Sequence, residues 1–110
     1  MATIGSFKAT ENGYAGTIET LTLRGDISIE TADKRSDNQP DYRIFHVTSH
    51  FRSDIGAAWK KTSQRKGSPY LSLSIDDPGL PAPIYCRLVK TGAESGHLLF
   101  WERSRDDARD

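Results

Sequence analysis

The stretch 55-IGAAWKKTSQRKGSPYLSLSIDD-77 decides the fold class. From Tyr70 to Ile75 apolar and polar-faced residues alternate strictly: Leu71, Leu73 and Ile75 share one face, and Tyr70, Ser72 and Ser74 share the other. Side chains alternate across an extended chain, so a period of two marks a half-buried strand. Upstream, Ile55, Ala57 and Trp59 fall on one face of a second strand that runs to Lys61. Together with Leu71, Leu73 and Ile75 they are expected to form the core sides of a hairpin. Its loop, Thr62 to Pro69, is polar and contains glycine and proline. Lys60, Lys61, Arg65 and Lys66 crowd that tip, and no acid stands between Trp59 and Tyr70.

The same alternation recurs outward from this hairpin, and helical periodicity is nearly absent. Ala2 to Ala9 and Tyr14 to Leu23 read as strands joined through Glu11-Asn12-Gly13, where Asn-Gly tolerates the positive φ of a tight hairpin. Gly25 predicts a bulge or bend before Asp26 to Thr31. Ala32 to Pro40 is a polar loop, Asp41 to Val47 a strand, and Thr48 to Asp54 a connection. DDPGLPAP, residues 76 to 83, is a proline-rich crossing unsuited to a central strand. Ile84 to Thr91 and His97 to Arg103 form a last hairpin. The sum predicts an all-β fold of about six to seven short strands with little or no helix: a small antiparallel meander, barrel or sandwich. One domain is expected over residues 1–103, with a charged, frayed tail over 104–110.

Composition narrows the function classes. Lys+Arg and Asp+Glu both number 15, so the formal net charge is zero. A protein that coats nucleic acid through overall basicity is excluded; a local basic patch is not. Cys86 is the single cysteine, so neither an internal disulfide nor a cysteine-rich zinc site can form. It shares a face with Ile84 and Leu88 and reads as a small buried hydrophobe rather than a nucleophile. No apolar run is long enough to span a membrane, and the N-terminal residues do not follow the secretory-signal pattern; the expectation is a cytoplasmic protein.

Catalytic signatures are missing from the sequence. His46 and His50 stand four apart, but one falls in a strand and the other in a loop, so no metal site is expected. Asp76 and Asp77 are neighbours on extended chain and point to opposite faces, which suits a turn rather than an acid pair. His97 opens the last strand with no evident partner. No nucleophile elbow, dinucleotide loop or phosphate loop occurs. The expectation is a non-catalytic binding module with no cofactor and no small-molecule substrate.

The positive signal is the basic hairpin. Single-stranded nucleic acid is held by cations along its backbone and by aromatic rings that stack its bases. Lys60, Lys61, Arg65 and Lys66 supply cations, Tyr70 on the polar face supplies a ring, and Arg87 and Arg103 lie on later segments that a meander could bring near. These seven are the candidate nucleic-acid-binding residues. The competing reading is a solvated hairpin guarded by its lysines, on a protein that binds a protein partner or a second copy of itself.

MATIGSF, ENGYAGTIETLTL, PDYRIF, IGAAWKKTS, YLSLSIDDP, PAPIY and LLFWERS, taken in order, resemble the bacterial family known as domain of unknown function 736. The resemblance runs from Met1 to about Arg103. It implies an origin on alphaproteobacterial plasmids and conjugative elements, hence an accessory role on mobile DNA, and it carries no activity, cofactor or catalytic residue. The segment His46 to Asp54 is longer than the link usual at that place, and Cys86 stands where a smaller residue is usual.

Overall fold

The computed structural model describes residues 2–21, 24–33, 35–64, 67–78, 80–91 and 96–102. The chain is all-β, with eight strands: β1 (Ala2–Thr10), β2 (Gly13–Glu19), β3 (Arg24–Thr31), β4 (Tyr42–Val47), β5 (Arg52–Thr62), β6 (Pro69–Ile75), β7 (Ile84–Lys90) and β8 (Gly96–Glu102). Each pairs antiparallel with the next, and β1 pairs with β8, so the sheet closes into a barrel in sequence order. Of the three architectures the alternation allowed, closure selects the barrel, with eight strands rather than six to seven. Every strand has a neighbour on both sides, which leaves no edge for a further strand to join.

The interior is built from alternate residues. One row across the strands runs Ile44, Gly56, Ile75 and Ile84, and the next runs Tyr42, Ala58, Leu73, Cys86 and Trp101. Phe7, Ile18, Ile29, Ile44, Leu73, Ile75, Leu88, Leu99 and Cys86 are fully buried. Burial of side chains of this size stabilises by roughly 1.5–3 kcal/mol each before conformational entropy is set against it. The outward positions of β3 are Asp26, Ser28 and Glu30, and β2 places Thr17 opposite Asp26. No helix among the described residues is long and apolar enough to cross a membrane.

Three local expectations are corrected. First, the β4–β5 register shifts between Ile44, opposite Gly56, and Phe45, opposite Asp54, so Ile55 is the extra residue of a bulge. A bulge breaks the alternation. Beyond it the even-numbered Gly56, Ala58 and Lys60 face inward, while Ala57 and Trp59 turn outward. Trp59 therefore lies half-buried on the outer face opposite Ser72 rather than in the core. Second, Gly25 sits in regular register opposite Ile18 and forms no bulge. It is small because a Cβ there would come within 2.5 Å of the His46 imidazole. Third, the connection expected over 48–54 is partly strand, since β5 begins at Arg52.

The His46–Asp54 segment lengthens the β4–β5 hairpin, adding the pairs His46–Ser53 and Val47–Arg52. It also carries two outer-surface ion pairs. Arg43 donates to both Asp54 carboxylate oxygens (Nη2–Oδ1 2.8 Å, Nε–Oδ2 3.0 Å), and Arg52 donates to Glu30 while its guanidinium lies 4.2 Å over the Phe45 ring. Hydrogen bonds from Arg52 and Ser28 hold the Glu30 carboxyl below its ordinary value.

Two other expectations hold. The Asn12–Gly13 turn joins β1 to β2, with Gly13 at φ 154° packed so close to the Ile29 carbonyl that no Cβ fits. Asp76-Asp77 forms a turn: the Leu80 N–H donates to the Asp77 carbonyl at 2.8 Å, and the Asp76 N–H to that of Ile55 at 2.7 Å. Leu80 packs against the core there. This end of the barrel retains a cavity of only about 80 Å³. The tail expected over 104–110 lies outside the described residues.

Candidate nucleic-acid interface at the barrel mouth

The opposite end is open. Its rim is made by the ends of β1, β2, β4, β5, β6, β7 and β8, which surround a cavity of about 590 Å³. Interior alternation delivers one residue from the end of nearly every strand: Ala9 from β1, Tyr14 from β2, Tyr42 from β4, Lys60 from β5, Lys90 from β7 and His97 from β8. Leu71 and Leu88 form apolar wall below them, and Lys61 and Tyr70 complete the rim. Among the described residues the lining thus combines three lysines, three tyrosines and a histidine with no carboxylate. Acids are present in the surrounding connections, at Glu11, Asp33, Asp37 and Asp41. Asp33 lies 3.9 Å from Arg35, and the Asp41 carboxylate accepts the Lys60 backbone N–H at 2.8 Å.

Lys60 owes its inward position to the bulge at Ile55. Without that extra residue the alternation would send Lys60 outward and Lys61 inward. Its ammonium lies 5.9 Å from the Tyr42 ring centre, within cation–π range. Tyr42 in turn meets Tyr14 at 5.9 Å and a 57° tilt, and Tyr14 meets His97 edge-on at 4.8 Å. The sequence offered His97 no partner, because the contact joins β2 to β8 across the barrel interior.

The surroundings of Tyr14 displace its titration. Burial raises its pKa above 10.0, and the neighbouring Tyr42 raises it further by repulsion and a hydrogen bond, against a smaller opposing effect of Lys60. The fold thus favours the neutral phenol. Its contribution to stability is complete below the unfolded value and is lost as pH rises through the folded one. In a near-ultraviolet titration, Tyr14→Phe should remove a tyrosine step that lies above the ordinary value. A variant that removes only a step at the ordinary value would contradict the packing described.

The seven sequence-derived candidates are divided by the fold. Lys60, Lys61 and Tyr70 meet at the mouth. Arg87 is not among the residues lining the mouth: it is 8% exposed on the outer wall opposite Ser72 and Phe100, with its guanidinium 4.8 Å over the Tyr70 ring. It covers one face of Tyr70. Arg65, Lys66 and Arg103 lie outside the described residues. Sequence reasoning noted Lys90 as a cation that could lie nearby without placing it in the site, and it missed Tyr14, Tyr42 and His97. The available signal was that each stands on the core-facing parity at the same end of its strand.

A family model described as a protein of unknown function (DUF736) matches residues 3–104. Neither a curated protein nor a solved structure matches the chain.

Proposed function

The chain belongs to the DUF736 family, and from this premise we propose that it is a non-catalytic module that binds single-stranded nucleic acid at the open end of its barrel. The observation that carries the reading is the lining of the mouth: three lysines and three tyrosines around one cavity, with no carboxylate among the described lining residues, on a chain of zero net charge. Cations beside aromatic rings suit a phosphate backbone bearing unstacked bases. A duplex presents its bases only within grooves, where rings at a barrel mouth cannot stack on them. Following the family resemblance, the proposed setting is the cytoplasm, and the proposed role is that of an accessory protein of a mobile genetic element.

Fluorescence anisotropy with labelled oligonucleotides tests this reading. Single strands should bind more tightly than duplexes of the same length. Three lysine–phosphate contacts should give a log–log salt slope of about −2 on a single strand. Absence of binding at about 50 mM salt and micromolar protein, where phosphate contacts are strongest, would end the proposal.

A further inference from the structure

We infer that the mouth is a slot for one nucleotide: a single planar ring enters the barrel while its phosphate stays with the rim lysines. The inference rests on the nucleic-acid reading of the same site and specifies how a strand is held. Three observations support it.

The first is size. The cavity of about 590 Å³ lies within the range of small-ligand pockets, and an eight-strand barrel has interior width for one such ligand. A run of stacked bases does not fit that width, so only a terminal or flipped-out nucleotide can enter.

The second is the order of chemistry with depth. Leu71 and Leu88 lie on the inner wall, with Leu88 at 1% exposure, whereas Lys60 and Lys61 are exposed. A ring with a charged group on one side is therefore desolvated at its apolar part and kept wet at its anion. An inorganic anion alone would leave the partly exposed rings of Tyr14 and Tyr70 uncovered, and an uncharged ring would leave the lysines unused.

The third is the arrangement of the rings. Tyr14 meets Tyr42 and His97 at 57° and 69°, so these contacts are tilted or edge-on. Such contacts do not consume the stacking face of a ring as a parallel stack would.

The shared chemistry, a ring bearing a phosphate, has two sources: the exposed nucleotide of a single strand, or a free nucleotide. Adenosine monophosphate, adenosine and inorganic phosphate are the probes, each titrated into isotope-labelled protein. The monophosphate should shift the amide signals of Ala9, Tyr14, Leu88 and His97 saturably, and the other two should bind at least about tenfold more weakly. Ala9→Trp places an indole in the slot from an exposed position and should abolish those shifts. Amides unmoved by millimolar monophosphate, or an Ala9→Trp variant that binds it as the wild type does, would overturn the inference. If oligonucleotides bind while the monophosphate does not, the slot fails and the module reading stands. If the monophosphate binds while oligonucleotides do not, the slot stands, and a free nucleotide replaces the strand as its source.

Discussion

Phe7→Ala is expected to lower stability by about 3–5 kcal/mol, a large share of the roughly 5–15 kcal/mol typical of a domain. Phe7 is 1% exposed and lies in the interior row between Gly16 of β2 and His97 of β8. The glycine opposite is part of the same packing unit: a Cβ on Gly16 would stand 2.7 Å from both the Phe7 Cα and its ring. Truncating Phe7 leaves a void that its neighbour has no side chain to fill, so relaxation is limited and the cavity cost persists. Urea unfolding of Phe7→Ala against Phe7→Leu measures the effect. A loss below about 1 kcal/mol would mean that the barrel collapses onto the void, contrary to a frame closed by hydrogen bonds on every side.

The double reversal Lys60→Glu, Lys90→Glu should weaken single-strand binding by on the order of 100-fold or more, since charge-assisted hydrogen bonds contribute about 1.5–3 kcal/mol apiece. The salt slope should fall from about −2 toward about −0.7, because one of three contacts remains. Both residues come from strand ends, on β5 and β7, so the fold itself should be retained, and circular dichroism provides that control. Wild-type affinity in the folded double variant would move the binding surface away from the mouth. The reversal also separates the mouth from Arg65 and Lys66, which it leaves unchanged.

The all-β class was legible in the sequence, because the alternation of Tyr70 to Ile75 and the Asn12–Gly13 turn each report local geometry. Barrel closure was not, since the pairing of β1 with β8 joins opposite ends of the chain and no short-range pattern encodes it. The site was half legible for the same reason. Lys60, Lys61 and Tyr70 sit on one hairpin, and their proximity follows from a loop. Tyr14, Tyr42, Lys90 and His97 come from four other strands and meet only through closure and register. The bulge at Ile55 did further damage to the reading, since one extra residue reverses the phase of every position after it and misplaced Trp59. The charge of Arg87 suggested solvent, whereas its guanidinium lies over the ring of Tyr70.

The β1–β8 seam also governs how the molecule comes into being. Seven of the eight ladders join strands that follow one another directly, and each can zip from its own turn as it appears. The eighth joins Ala2–Thr10 to Gly96–Glu102 and bears the largest loop-closure entropy. Until β8 is available, the growing chain is an open ribbon with two unpaired borders, the state in which strands recruit other chains. Acquisition of the native state thus waits until β8 has been made, and the speed of that last closure sets the window for aggregation.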